Sequence, residues 1–124
     1  MKELIAILKA LSDRNRFRAV AALIEYDELC ACQITELLGI ASATSSRHLG
    51  VLISAGLISS RKEGRWVYYS VNRCCSSFGT ILNWIEDELK DDDEALRDKE
   101  DLKGIIAQEP VDICRRQRGE KCCP

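Results

Sequence analysis

The sequence predicts a mainly α, α+β fold: about five helices and a two-stranded β-hairpin, in the winged helix-turn-helix arrangement. Three observations predict it. Two short amphipathic stretches lie either side of Gly39, with Ser42 placed to begin the second. Two runs, 58–62 and 65–71, flank Glu63-Gly64, a hairpin turn signal. Arg61, Lys62 and Arg65 gather at the tip of that hairpin, giving it a basic edge.

Taken in order, residues 3–11 place Leu4, Ile5, Leu8 and Leu11 on one helical face. Ser12 or Asp13 offers an N-cap for a helix over 14–24, with Phe17, Val20, Ala21 and Ile24 inward. Arg14, Arg16 and Arg18 are read as a solvated face. Leu29-Cys30 forms a short strand beside the hairpin, and a helix over 32–38 turns Ile34, Leu37 and Leu38 inward. Gly39 suits the left-handed position that ends it. Ser42 caps a helix over 43–55, which Gly56 closes.

On that helix Leu49, Leu52 and Ile53 make the buried stripe, leaving Thr44, Ser45, Arg47 and His48 in the first turns away from it. A recognition helix sets its N-terminal residues against base edges in the major groove. Ser42, Thr44, Ser45, Arg47 and His48 are therefore the candidate DNA-reading residues; an N-cap followed by a polar surface explains Ser42 but not the Arg47-His48 pair. Arg61, Lys62 and Arg65 are the candidate phosphate contacts, which position a protein but carry little sequence information. In the second hairpin strand, Val67, Tyr69 and Val71 alternate with Trp66, Tyr68 and Ser70, and Trp66 and Tyr68 are read as packing residues.

Residues 77–90 carry a stripe of Phe78, Ile81, Leu82, Ile85 and Leu89. It is read as more apolar surface than one small domain covers alone, hence as a dimer face rather than a helix that merely caps its own domain, because an operator reader of this size needs two half-sites. Asp91-Asp92-Asp93-Glu94 opens an acidic segment, a helical pattern returns over 95–107, and Pro110 breaks it. The last stretch, from Ile113, reads as a flexible tail. Two parts follow: a DNA-binding and dimerisation domain over 1–90, and an acidic, cysteine-containing C-terminal segment over 91–124.

Charge agrees with this division. Residues 42–73 hold five Lys/Arg against one acid, whereas residues 86–101 hold ten acids against three bases. A basic reading head binds nucleic acid even when the whole chain carries a net charge of −2. No apolar run is long enough to cross a bilayer, and the N-terminus lacks a signal-peptide pattern, so a cytoplasmic protein without a membrane partner is expected. Seven cysteines in a reducing compartment point to metal, metalloid or redox chemistry rather than disulfides, and the single histidine, His48, argues against imidazole-built zinc sites.

Several stretches together resemble the arsenic-repressor (ArsR/SmtB) family of metal-sensing repressors. These are Glu28-Leu29-Cys30-Ala31-Cys32, Ser46-Arg47-His48-Leu49, Gly56-Leu57-Ile58 and Gly64-Arg65-Trp66-Val67-Tyr68-Tyr69. The resemblance covers about residues 3–89 and favours DNA reading over a plain polar surface at the Arg47-His48 pair. It implies a homodimeric repressor, paired through the helix over 77–90 with help from Leu4 and Leu8 on the first helix. Its partner would be double-stranded operator DNA and its inducer arsenite or antimonite, with no permanent cofactor. Such members hold trivalent arsenic with three thiolates in a C-x-C-x-x-C pattern. Here Cys30 and Cys32 match, but Thr35 stands at the third position. The third thiol then comes first from Cys74 or Cys75, and otherwise from Cys114, Cys122 or Cys123; the vicinal Cys122-Cys123 could also form a second site for organic arsenicals. Zinc-type sites of the family need histidine on the last helix, and residues 77–90 have none.

Soft thiolates select soft acceptors, and a helix N-terminus favours the thiolate form. A redox or persulfide switch on the same fold is one alternative. A thiol-based metal carrier is another, although a basic hairpin has no purpose there. Nothing resembles a catalytic constellation, so the chain is not read as an enzyme.

Overall fold

A computed structural model describes residues 1–73 and 76–118. Its elements run α1 (Lys2–Leu11), α2 (Arg14–Glu25), β1 (Leu29–Cys30), α3 (Ala31–Leu38), α4 (Ser42–Ser54), β2 (Ile58–Glu63), β3 (Trp66–Val71), α5 (Ser76–Leu89), α6 (Asp93–Ile106) and α7 (Pro110–Arg118). The described residues thus build seven helices, against about five expected, and a three-stranded antiparallel sheet ordered β1-β3-β2, in which the expected short strand joins the hairpin.

The expected winged unit is present. Asp13 caps α2, its carboxylate accepting from the backbone N–H groups of Asn15 and Arg16. Gly39 ends α3 at φ 66°. The hairpin pairs Glu63 with Trp66 around Gly64-Arg65, with Gly64 at φ 63°. Positive φ at the first loop position is what a tight hairpin of matching twist requires. Helix α4 starts one residue earlier than expected, so Ala41 rather than Ser42 occupies its N-cap. The short strand pairs as expected, Leu29 opposite Tyr69 and Cys30 opposite Tyr68.

One core joins Ile7, Val20, Leu23, Ile34, Leu49, Leu52, Leu57, Leu82 and Ile85 with residues from the C-terminal part, Leu102 and Ile113. That last pair corrects the reading of 91–124. Helix α6 packs on α2 and α3, and α7 packs on α3. Pro110 is the first residue of α7, where its missing N–H costs nothing, so it starts a helix rather than ending order. Ile113 and Cys114 are buried, whereas a flexible tail was expected. Of that tail, residues 119–124 lie outside the described residues.

The arginines of α2 explain part of this docking. Arg18 forms a two-point ion pair with Asp98 of α6, at 2.9 Å through both Nε and Nη2, and donates to the Leu37 carbonyl. Arg14 pairs with Glu94. Arg18 is therefore an interhelix tie and not a solvated cation. Asp98 and the other α6 acids hold its guanidinium above its ordinary value, more protonated still.

Candidate metalloid and DNA sites

The cysteine pair sits where a strand becomes a helix. Cys30 ends β1 and caps α3, and its backbone N–H donates to the Gln33 side chain at 2.8 Å. Cys32 lies one step further along, in the first turn. This geometry brings the two sulfurs to 3.3 Å, both fully enclosed. Cys32 Sγ also approaches the Pro110 carbonyl of α7 at 3.6 Å, and Gln117 Nε2 of α7 donates to the Cys32 carbonyl at 2.9 Å.

Thr35, at the position where the resemblance puts a third cysteine, is buried and does something else. Its hydroxyl donates to the Ala31 carbonyl at 2.9 Å and meets the Ser45 hydroxyl of α4 at 2.8 Å. Cys74, Cys75, Cys122 and Cys123, four of the expected candidates for the third thiol, lie outside the described residues. Among the described residues, no group of three or more His, Cys, Asp or Glu side chains is gathered into a ready metal-holding cluster.

The DNA-facing expectation divides. Arg47 on α4 and Lys62 and Arg65 on the hairpin are exposed, and Ser42 and Thr44 are half-buried. Ser45 is buried against Thr35, so it holds α4 to α3 and is not available to a base or phosphate. His48 is also turned inward: its side chain is 17% exposed, with Nδ1 3.3 Å from Arg16 and Nε2 3.8 Å from Asp13. Helical geometry explains both, since residues 45, 49 and 52 share the α4 face that meets the core, and His48 borders it. The exposed face instead carries Ala43, Ser46, Arg47 and Gly50. Ser46, not among the expected reading residues, is exposed on this face.

Arg61 is committed elsewhere. It forms a two-point pair with Glu28 at 2.8 and 2.9 Å, reaches Glu63 at 3.3 Å, and lies 4.8 Å over the Tyr68 ring. Glu28 in return is held below the usual carboxylate range, chiefly by its hydrogen bond from Arg61. The cations presented at the hairpin tip are Lys62 and Arg65.

The dimer expectation also needs redrawing. Phe78, Leu82 and Ile85 pack into the chain's own core, Ile85 being only 1% exposed, and Ile81 and Leu89 pack against it. The apolar stripe of α5 is thus largely satisfied within one chain. Exposed apolar side chains include Leu4, Ile5 and Leu8 on α1 and Trp84 on α5, with Leu8 at 63% and Trp84 at 62%; Val51, Leu96, Ile106 and Ile53, the last expected in the buried stripe of α4, are exposed too. Leu4 and Leu8, two of the residues expected at the pairing face, are among these exposed side chains.

A model of bacterial regulatory proteins of the arsR family matches residues 13–60, the span from the cap of α2 to the start of the hairpin. The arsenic resistance transcriptional regulator ArsR1 of Pseudomonas putida is 31% identical over 93 residues, covering 73% of this chain and 68% of that one. The chain belongs to the arsR family. A cadmium resistance transcriptional regulatory protein, CadC of Listeria innocua, is 41% identical over 78 residues; the match spans 63% of this chain and 61% of that relative. The solution structure of a homodimeric winged helix-turn-helix DNA-binding domain from Mycobacterium bovis, a possible ArsR-family regulator, superposes with TM-score 0.60 at 25% identity. It covers 70% of this chain and 81% of its own. These relatives are transcriptional regulators, and the Mycobacterium bovis neighbour is a winged helix-turn-helix DNA-binding domain. Among the described residues no helix is long and apolar enough to cross a membrane.

Proposed function

We propose that the chain is a homodimeric repressor that releases operator DNA when trivalent arsenic or antimony binds the Cys30–Cys32 thiolates. The supporting observation is the sulfur separation. With metal–sulfur bonds of roughly 2.3 Å, a tetrahedral ion holds two thiolates about 3.8 Å apart. The 3.3 Å between Cys30 and Cys32 corresponds, at bonds of roughly 2.3 Å, to an angle of about 90° at the bound atom. That is the angle of a trigonal pyramid, the shape trivalent arsenic takes with sulfur. Thiolate softness favours the same ligands.

On the DNA side, Ser42, Thr44, Ser46 and Arg47 of α4 meet the major groove, and Lys62 and Arg65 meet the phosphates. Leu4, Ile5 and Leu8 of α1 and Trp84 of α5 form the pairing face between two copies. Two heads must match half-sites roughly 34 Å apart, so a small rotation of each head prevents simultaneous docking. The Thr35–Ser45 contact is the mechanical link: Thr35 lies one turn beyond Cys32, and Ser45 lies on the reading helix. Each 1.4 kcal/mol of coupling corresponds to about tenfold release.

A second reading is cadmium as inducer, favoured by the similarity to a cadmium-resistance regulator. Fluorescence anisotropy on DNA from the chain's own promoter separates these, with arsenite, cadmium and peroxide added in turn. Release by arsenite at the lowest concentration supports the proposal. Release by cadmium alone moves the sensor to a four-ligand site, and release by peroxide alone makes the thiol pair a redox switch.

A further inference from the structure

We propose that Cys114 of α7 supplies the third thiolate to the Cys30–Cys32 pair, so that the last described helix both covers the sensor and closes on the inducer. The proposal rests on the thiolate reading above and names the ligand that reading leaves open.

Position on the helix carries it. Pro110, Cys114 and Gln117 stand at i, i+4 and i+7, one face of α7. Both ends of that face touch Cys32: the Pro110 carbonyl meets its sulfur at 3.6 Å, and Gln117 donates to its carbonyl at 2.9 Å. Cys114 lies between those two contacts and is fully buried, as are Cys30 and Cys32. Helix α7 packs on α3, the helix that carries the pair. The described cysteines therefore all belong to one buried junction between the start of α3 and the inner face of α7.

Chemistry fits the enclosure. Arsenous acid exchanges its three hydroxyls for three thiols, releasing three waters: As(OH)3 + 3 RSH → As(SR)3 + 3 H2O. Arsenic stays trivalent, so no oxidant or reductant is consumed. The product is neutral, whereas three thiolates around a divalent ion leave a net negative charge that burial disfavours. Since all three sulfurs are covered, α7 must lift to admit the inducer and then settle. The three are not gathered into a ready cluster beforehand, so binding draws α7 toward α3.

Three measurements on the full chain test this. Arsenic X-ray absorption on wild type should show three sulfurs, and Cys114→Ser and Cys114→Ala should each show two sulfurs with an oxygen. Both variants should bind operator as wild type does, and should need at least tenfold more arsenite for release. Variants that keep three sulfurs and wild-type sensitivity would overturn the proposal and assign the third thiol to residue 74, 75, 122 or 123. Hydrogen exchange needs no variant: arsenite should slow amide exchange across 110–118, and unchanged exchange there would count against the closure. A wild type that binds arsenite through three sulfurs yet keeps its operator would sink the repressor reading while leaving this site standing.

Discussion

Gln117 donates its side-chain amide to the backbone carbonyl of Cys32 at 2.9 Å, which ties the C-terminal helix to the first turn of the helix bearing the thiol pair. The same amide also reaches Glu36, and Arg116 lies 3.4 Å from that carboxylate. Removing such a bond costs about 1 kcal/mol, roughly a fivefold change in an opening equilibrium. Gln117→Ala should therefore speed arsenite uptake several-fold without changing the number of sulfurs bound. Stopped-flow mixing with arsenite checks it.

Pairing of two chains should depend on α1 and Trp84, not on the inner stripe of α5. Leu8→Glu and Trp84→Glu change exposed positions, so each should give a folded monomer with weakened operator binding. Leu82→Glu and Ile85→Glu instead place a carboxylate in the core, which costs several kcal/mol and should unfold the chain. Light scattering together with circular dichroism distinguishes loss of pairing from loss of fold.

Why the sequence misled on α5 is physical. Periodicity reports that a face is buried, and says nothing of what buries it. Phe78, Leu82 and Ile85 made the pattern of a dimer helix while packing within their own chain. The winged unit itself was legible because Gly39, Gly64 and the β-branched alternation act locally. Helix α7 was not, because Pro110 reads equally as a breaker or as a first helical residue, and only contact with α3 decides between them. Ser45 and His48 turn inward for a related reason: a polar residue on a helix signals solvent unless its hydrogen-bond partner, here Thr35 or Arg16, is known.

DNA binding should separate the exposed α4 residues from the enclosed ones. Arg47→Ala should cost roughly 1–3 kcal/mol of operator affinity and relax preference at one base position. Arg65→Ala should weaken all sequences alike and lower the salt slope by about one. His48→Ala should act through stability, because its ring is held between Asp13 and Arg16. Anisotropy titrations at several salt concentrations, set beside thermal melts, check all three.

Acid should loosen the start of α2. The carboxyl of Asp13 is held below its ordinary 3.8, first by the hydrogen bond from the Arg16 amide and also by the nearby His48 and Arg16 charges. A folded value below the unfolded one means that the stabilisation is present above the ordinary value. It is lost as pH falls through the folded value. Asp13→Asn should flatten that acid limb of the melting temperature while changing it little in slope near neutrality. A pH series of melts compares the two.

Coupling between inducer and DNA should pass through Thr35. Thr35→Val keeps the volume of the side chain but removes the hydroxyl that meets Ser45. Arsenite affinity should stay within about threefold of wild type while the release ratio falls about tenfold, equal to 1.4 kcal/mol of coupling. Isothermal titration with arsenite, in the presence and absence of operator, measures both quantities, because reciprocity requires the two effects to match.

In the proposed function, the Cys30–Cys32 pair controls the grip on DNA. The most direct test is operator affinity, with and without arsenite, for wild type, Cys30→Ser and Cys32→Ser. Wild type should lose at least tenfold in affinity on adding arsenite, and each variant should bind operator normally and ignore arsenite. Variants that still release the operator at wild-type arsenite concentrations would contradict the claim and move the sensor away from the start of α3.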